Sequence, residues 1–222
     1  MNESYFNQQT AYDEIQRMII QLELVPGEKI SQKALEEQLS FGRTPIREAL
    51  IRLQSDGLIE VFPQSGTYVA KIDSQKIENG RFLRETLERR IMVEAAELMH
   101  EADYTQLESL IKLQNVYGEI GDYSQLMHYD NEFHRYFYEI SNHLLLWPIT
   151  QLAALPLNRY RYLSLQTTTL DLSGSMNDHK AIVSALRQHD TDQLTALIEQ
   201  HLHHIDHDKE LVIKQFPNYF DN

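Results

Sequence analysis

The chain of 222 residues contains no cysteine. This absence excludes disulfides, cysteine-ligated zinc, iron–sulfur clusters and thiol catalysis, so any metal must bind to histidine and carboxylate side chains. The sequence also lacks an apolar run approaching the ~18 residues that a bilayer crossing needs, and its N-terminus shows no basic segment followed by an apolar stretch. These absences predict a cytoplasmic protein that has no membrane partner.

Positive charge is scarce as well, since 20 lysines and arginines stand against 33 acidic residues and the net charge is -13. A non-specific coat on nucleic acid draws on a positive field, so the composition argues against that role. The deficit is uneven: residues 73–222 hold 13 basic and 23 acidic residues, whereas residues 29–71 hold six and five. Residues 29–71 are therefore nearly neutral, so this stretch can approach an anion more easily than the acidic remainder of the chain.

The first 70 residues carry the elements of a winged helix-turn-helix. The predicted elements are a helix over residues 10–24, a helix from Ser31 to about Leu39, a helix from Thr44 to about Asp56, and a hairpin of strands at 58–62 and 67–70. Ser31 and Thr44 are cap residues, Pro45 suits a first helical position, and Gly57 suits a helix end. The tetrad of residues 63–66 favours a turn between the strands.

Beyond Asp73 the pattern is helical throughout, which predicts an all-α antiparallel bundle. The predicted helical segments cover residues 74–99, 104–117, 123–140, 144–168 with interruptions at Pro148 and Pro156, 174–189, and 191–214. The fold class is therefore mainly α, with an N-terminal winged helix-turn-helix domain over residues 1–72 and a helical domain over residues 73–222. We expect the last few residues to be loosely held.

Long hydrogen-bond donors at one end of the third helix make it a candidate for insertion into the major groove. The candidate DNA contacts are Lys33, Arg43, Thr44, Arg47 and Gly66. Arg43 and Arg47 project from the same end of one helix, Lys33 can reach a phosphate, and Gly66 at the hairpin tip permits close approach of backbone to the duplex. The alternative is that the arginines are ordinary solvated residues, with Arg47 paired to Glu48 or Glu37.

A longer motif strengthens the first interpretation. It comprises Phe41-Gly42-Arg43-Thr44-Pro45-Ile46-Arg47-Glu48-Ala49-Leu50, then Arg52-Leu53, Asp56-Gly57-Leu58-Ile59 and Gly66-Thr67-Tyr68-Val69. Over residues 10–70 the chain resembles the DNA-binding domain of the GntR family of bacterial transcription regulators. The resemblance implies that Lys33, Arg43, Thr44 and Arg47 face the operator, with Arg43 and Arg47 reading bases and Gly66 in the minor groove or against the backbone.

Helical phase selects three of the ten histidines as inward-facing. Asp130 and His134 lie on the apolar side of segment 123–140 and are four residues apart, so they are stacked one turn from each other. His179 and His201 lie on the apolar sides of segments 174–189 and 191–214. A buried carboxylate needs a partner or a cation, and Asp with three His suits a divalent ion such as Zn²⁺ or Ni²⁺. The alternative is a hydrogen-bonded polar core in which Asp130 pairs with one histidine.

Arg84 is a further inward charge, because it shares the side of Leu83 and Leu87 in segment 74–99. One possible role is a purely structural ion pair with Glu88, four residues later in the sequence. A guanidinium beside a metal, however, suits a small carboxylate, which can bind the metal with one oxygen and accept hydrogen bonds with the other. This arrangement predicts an organic acid as ligand.

A series of motifs runs along the second half of the chain: Arg84-x-x-x-Glu88, Glu94-Ala95-Ala96, Asp130-x-x-Phe133-His134, Ser141-Asn142, His179-x-x-Ile182-Val183-x-Ala185-Leu186 and His201-Leu202. With these motifs the second half resembles the FCD effector-binding domain of the FadR-type branch of the GntR family. The resemblance implies that Asp130, His134, His179 and His201 bind a divalent metal and that Arg84 contacts the effector. Asn142 matches a frequent asparagine and is included as a candidate effector contact.

Together these features predict a metabolite-responsive transcription regulator rather than an enzyme. One winged helix reads few base pairs, so we expect a homodimer on a palindromic operator, with two half-sites about one helical turn apart, acting as a repressor. Two alternatives are a metal-dependent enzyme, since Asp and three His also form hydrolase and oxygenase sites, and a dedicated metal sensor in which the ion is the signal.

Overall fold

The computed structural model describes residues 3–167 and 173–221, without the side chains of residues 3–7, 173 and 205–207. The elements in chain order are α1 Glu3–Ile20, β1 Lys29–Ile30, α2 Gln32–Leu39, α3 Arg43–Ser55, β2 Ile59–Phe62, β3 Gly66–Val69, α4 Ser74–Leu98, α5 Glu101–Glu119, α6 Tyr123–Ile140, a 3₁₀ turn Leu144–Leu146, α7 Trp147–Ala153, α8 Leu155–Leu165, α9 Ser173–Arg187, α10 Thr191–Gln215 and a 3₁₀ turn Pro217–Tyr219. The mainly helical fold with an N-terminal winged helix-turn-helix is confirmed.

The N-terminal domain packs α1, α2 and α3 against a small antiparallel sheet with strand order β1-β3-β2. Its core is apolar and includes Ile15 and Ile19 of α1, Ile46 and Leu53 of α3, and Val69 of β3. The two-residue strand β1 pairs Lys29 with Tyr68 and Ile30 with Thr67. Two residues are too few to show an alternating pattern, so sequence periodicity predicted only the β2–β3 hairpin.

Three helix ends in this domain can be compared with the prediction. α1 ends at Ile20 rather than Leu24, since Leu22 adopts a left-handed conformation with φ 60°. Ser31 caps α2 as predicted, with its side chain accepting a hydrogen bond from the Ala34 N–H at 3.3 Å. The predicted cap at Thr44 is wrong, because α3 begins at Arg43 with Gly42 as N-cap and no side-chain cap.

The second part of the chain, α4 to α10, forms the predicted helical bundle around one large apolar core. Phe133 and Phe137 of α6, Leu107 of α5, Ile182 of α9 and Leu186 of α9 are fully or almost fully buried there. Segment 144–168 is divided into a 3₁₀ turn, α7 and α8, with a proline in the first turn of each helix; Thr168, its predicted end, lies outside the described residues. The predicted start of α5 at Tyr104 is three residues late, because the Asp103 side chain accepts a hydrogen bond from the His100 N–H at 2.7 Å and the helix begins at Glu101.

The C-terminal tail, residues 217–221, is fastened rather than loose. Ile72, in the linker between β3 and α4, donates its N–H to the Tyr219 carbonyl at 2.8 Å and accepts from the Asp221 N–H at 3.1 Å. Phe220 is only 4% exposed and packs in a small cluster with Ile72 and Tyr160. The expectation of a loose tail is wrong because this aromatic side chain has an apolar pocket to fill.

The helix α8 joins the two parts of the chain. Leu155, at its N-terminus, packs into the core of the N-terminal domain, and Arg159 donates a hydrogen bond from Nη2 to the Ala70 carbonyl at 2.7 Å. The boundary near residue 72 stays a prediction, although Asp73 there caps α4 by accepting hydrogen bonds from the backbone N–H groups of Gln75 and Lys76. Across the ranges that the structure describes, no helix is both long and apolar enough to traverse a bilayer.

Candidate metal centre and nucleic-acid interface

Four buried side chains from three helices meet in the interior of the bundle. Asp130 and His134 come from successive turns of α6, His179 comes from α9, and His201 comes from α10. One ligand atom of each lies within 4.8 Å of the ligand atoms of the others. His201 Nε2 is 3.2 Å from His179 Nε2 and 3.3 Å from His134 Nε2. The structure therefore brings together all four side chains that the sequence pointed to.

Burial controls the charge of this cluster, because none of the four side chains is more than 7% exposed. Burial lowers the pKa of His179 and of His201, so both imidazoles are neutral near pH 7. Burial also opposes ionisation of Asp130, but the charge of the Arg161 guanidinium outweighs it and holds the pKa of that carboxyl below its usual range. The cluster thus offers an ionised carboxylate from Asp130 and neutral imidazoles from His179 and His201.

The outward nitrogens of the imidazoles face polar side chains. His179 Nδ1 is hydrogen-bonded to Gln114 Oε1 at 2.8 Å. His134 Nδ1 lies 2.8 Å from Glu88 Oε2, and His201 Nδ1 lies 3.7 Å from Asp178 Oδ2, but neither contact has hydrogen-bond geometry. The acceptor at His179 Nδ1 places the proton there and leaves the Nε2 lone pair facing inward, which is the tautomer of metal-bound histidines.

This arrangement tests whether a metal fits. With Nδ1–H on His179, its inward Nε2 atom is an acceptor only, and His201 Nε2, which is close to the Nε2 atoms of both other rings, can donate only a single proton. Close acceptors without protons repel one another in a low-dielectric interior. A cation removes that repulsion, and the donor set of one carboxylate and three imidazoles suits a first-row divalent ion. The residues present therefore fit a metal.

A cavity of about 150 Å³ opens beside Asp130 and His201, and Arg84 and Arg161 line it. The volume compares with about 30 Å³ for one water in the liquid, so there is room for a small ligand. Arg84 is held by Glu88, with Nε 2.8 Å from Oε1. Arg161 Nη2 donates to Asp130 Oδ2 at 2.5 Å, whereas Arg161 Nη1 is buried with no hydrogen-bond partner in the described part of the chain.

Three of the predicted DNA contacts lie on an exposed surface at the N-terminal end of α3. Arg43, Thr44 and Arg47 are exposed, and neither guanidinium forms an ion pair with any residue that the structure describes. Glu37, the proposed local partner of Arg47, lies instead 3.7 Å from Lys33. The surface thus presents two arginines with nothing in the described chain to neutralise them.

Gly66 is the first residue of β3 and has φ +132°, a conformation that side chains rarely adopt. A Cβ added there would lie 2.7 Å from Cε of Lys29. Because Gly66 has no Cβ, the Lys29 side chain can pass over it beside the turn between β2 and β3. Lys29 thus adds a basic group next to Gly66, a predicted DNA contact.

Comparison with known proteins identifies both halves of the chain. Residues 7–69 match the family model for bacterial regulatory proteins of the gntR family, and residues 81–204 match the FCD domain. The chain belongs to the FadR-type branch of the GntR family. The predicted resemblance is therefore confirmed, and the protein is a transcription regulator with a DNA-binding domain and an effector-binding domain.

Individual relatives agree with this assignment. The chain is 29% identical to the HTH-type transcriptional repressor RspR of Escherichia coli (strain K12), over 96% of this chain and 92% of that protein. The fold resembles the solved structure of E. coli McbR/YncC, with a TM-score of 0.79 at 21% identity over 97% of this chain and 100% of that one. It also resembles a GntR regulator from Rhodococcus sp. RHA1, with a TM-score of 0.74 at 15% identity over 93% of this chain and 97% of that one.

The sequence analysis missed two side chains of this GntR regulator that bond directly to the cluster, Gln114 and Arg161. Gln114 follows Leu107, Leu110 and Ile111 at helical spacing on α5, so a polar residue in an apolar stripe was the available signal. Arg161 follows Leu157 by one turn of α8, but Pro148 and Pro156 obscured where that helix began.

The structure does not bring Asn142 to the cavity. It lies just after the C-terminus of α6, exposed, with φ 62°, and donates its backbone N–H to the Glu139 carbonyl at 3.0 Å. Asparagine tolerates this left-handed conformation better than most residues. Its place in this FCD domain is that of a residue ending a helix.

Proposed function

We propose that this GntR regulator is a repressor that binds a palindromic operator as a homodimer and responds to a small carboxylate through a metal-bearing FCD domain. The observation that carries the proposal is the buried cluster of Asp130, His134, His179 and His201 beside a cavity lined by two guanidinium groups. Zn²⁺ or Ni²⁺ is the ion that this donor set favours. We infer that it represses transcription because the relative RspR is a transcriptional repressor.

The lining of the cavity supports an anionic effector. A carboxylate could bind with one oxygen to an ion held by the four side chains, leaving the other oxygen for an arginine. Arg84 lines the cavity but already holds Glu88. Arg161 also lines the cavity and binds Asp130, so Arg161 joins Arg84 as a proposed effector contact. Asn142 is not retained, because it lies outside the cavity.

A path from the cavity to the DNA-binding domain runs along α8. Within seven residues, this helix carries Arg161 against Asp130, Arg159 against the Ala70 carbonyl, and Leu155 into the core of the N-terminal domain. A carboxylate that competes for Arg161 therefore acts on a helix that also contacts the N-terminal domain. An effector shifts the regulator between two states only by the difference of its affinities for them.

Operator binding in this proposal uses Arg43, Thr44 and Arg47 in the major groove, with Lys33 and Gly66 nearer the backbone. The arginines support base reading because their guanidinium forks have no competing acids among the described residues. Dimerisation doubles the number of base pairs read and matches a two-fold symmetric operator.

The enzyme alternative needs a group positioned to act as a general acid or base beside the donor set. Asp178 lies nearby, but it is held between His201 and His204, with His204 Nε2 at 2.5 Å.

The sensor alternative makes the ion itself the signal. Titrating operator binding with Zn²⁺ at fixed carboxylate, and with carboxylate at fixed Zn²⁺, separates it from the proposal.

A pair of variants tests the proposal. Arg47→Ala should abolish sequence-specific operator binding, measured by fluorescence anisotropy, and leave metal content unchanged, measured by elemental analysis. His134→Ala should lower metal content and abolish the thermal shift produced by carboxylic acids, while the apo protein still binds operator DNA. A His134→Ala protein that keeps full metal content, or a wild-type protein that no carboxylic acid stabilises, would contradict the proposed effector site.

A further inference from the structure

The C-terminal tail, residues 217–221, forms a junction with the linker that joins the two domains. The Ile72 N–H donates to the Tyr219 carbonyl at 2.8 Å, and the Asp221 N–H donates to the Ile72 carbonyl at 3.1 Å. Ile72 and Phe220 lie opposite each other in a parallel β-bridge. The tail therefore holds the short segment of chain between the DNA-binding domain and the FCD domain.

Apolar side chains close this junction. Phe220 of the tail is 4% exposed, and its ring meets the Tyr160 ring of α8 edge to face, with the centroids 6.5 Å apart. Ile72 of the linker and Val212 of α10 are buried in the same apolar cluster. The cluster thus brings together the linker, the tail and two helices of the FCD domain, α8 and α10.

A buried cation also makes the junction depend on the tail. Arg159 of α8 is 2% exposed and donates from Nη2 to the Ala70 carbonyl at 2.7 Å, whereas its Nε has no hydrogen-bond partner among the described residues. Burial lowers the pKa of Arg159 to about 10, and the Asp221 carboxylate opposes that shift. Loss of the tail would therefore remove a negative charge that supports a buried guanidinium at the domain boundary.

The two helices of this junction also reach the metal cluster. Arg161 of α8 binds Asp130, and α10, which contributes His201, continues without interruption to the start of the tail. The Phe216 N–H then donates to the Val212 carbonyl at 2.9 Å, so the tail follows directly from the end of α10. A shift of either helix at the cluster is carried to the junction, because a packed helix is a rigid element.

We propose that the C-terminal tail transmits the occupancy of the metal cluster to the interdomain linker. The inference rests on the metal-bearing FCD domain proposed above and adds the element that couples it to the DNA-binding domain. Asp130, His134, His179 and His201 come from α6, α9 and α10, so when they bind an ion, α10 is held against α6 and α9. The held helix keeps Phe220 packed between the linker and α8. The ion acts on the linker only as far as it binds this packed state more tightly than a released one.

Hydrogen–deuterium exchange of the full chain tests this coupling, because the Ile72 N–H is bound to the tail. Exchange is measured by mass spectrometry with and without Zn²⁺, in peptides that cover α6 and α9 and in a peptide that covers residues 70–76. In the wild type we expect Zn²⁺ to slow exchange about tenfold both in the cluster helices and in the linker. In Phe220→Ala, Zn²⁺ should still slow exchange in α6 and α9 but leave exchange in the linker unchanged.

Phe220→Leu is the matched control, because it keeps an apolar side chain in the same pocket and should retain the response of the linker to Zn²⁺. Truncation after Phe216 leaves all ten helices in place and serves should Phe220→Ala fail to fold. The inference is overturned if Zn²⁺ protects α6 and α9 but not the wild-type linker, or if the linker of a folded tail variant responds as wild type does. Absence of protection in α6 and α9 of the wild type would instead contradict the metal site, and this inference with it.

Discussion

Replacement of Gln114 by leucine tests how the metal centre is held. Gln114 is 1% exposed, accepts from His179 Nδ1 at 2.8 Å, and donates from Nε2 to the Tyr129 carbonyl at 3.2 Å. The second hydrogen bond fixes the amide with its oxygen towards His179. Gln114 therefore keeps the proton of His179 on Nδ1 and the lone pair of Nε2 directed at the cluster.

The expected losses of stability and of metal affinity in Gln114→Leu can be estimated. The leucine has nearly the same volume but no acceptor, so His179 Nδ1–H becomes a buried donor without a partner, at a cost of about 1–3 kcal/mol. The ring can avoid that cost by moving its proton to Nε2, but it then cannot bind a metal. Loss of such a supporting hydrogen bond typically lowers metal affinity about 10–100-fold.

The assay is competition for Zn²⁺ with a chromophoric chelator, together with urea unfolding of the metal-free protein. Gln114→Glu is the matched control, because its carboxylate restores an acceptor for His179 and should retain most of the affinity. If Gln114→Leu binds Zn²⁺ as tightly as wild type does, His179 is not a ligand oriented by this residue and the inferred tautomer is wrong.

Three further predictions concern the scaffold. Gly80→Ala should lower the urea midpoint by the equivalent of about 1–3 kcal/mol, because the added Cβ would lie 2.9 Å from the Ala153 carbonyl oxygen; a raised midpoint would contradict this close approach of α4 to α7. The His100 backbone N–H lowers the pKa of Asp103. The stabilisation that this hydrogen bond gives to the folded protein is therefore complete above about pH 4 and is lost as the pH falls through the lowered pKa. Asp103→Asn should thus cost about 1 kcal/mol at pH 7 and little in acid, and an equal cost at both pH values in urea titrations would refute the assignment. Truncation after Phe216 removes the tail from the linker and should increase proteolysis between the domains, with wild type as the reference; an unchanged cleavage rate would show that the tail contributes nothing.

Much of the metal centre followed from the sequence because helical periodicity fixes the direction of a side chain relative to its own helix. All four side chains of the cluster lie on apolar stripes of their helices. A polar group on such a stripe must point into the core. The DNA-reading end of α3 was visible for the opposite reason, since Arg43 and Arg47 lie off the stripe of Ile46 and Leu53. Both patterns lie within single helices, so they can be read directly from the sequence.

Only the tertiary structure decided which inward groups meet. Periodicity does not give the offset or rotation of one helix against another, so it could not pair Gln114 on α5 with His179 on α9, or Arg161 on α8 with Asp130 on α6. The same limit applies to the tail, where a single buried ring, Phe220, outweighs the general mobility of chain ends. The sequence by itself determined the fold class and the inward direction of Asp130, His134, His179 and His201. Packing alone determined their neighbours, because those contacts depend on the close fit of helices that are distant along the chain.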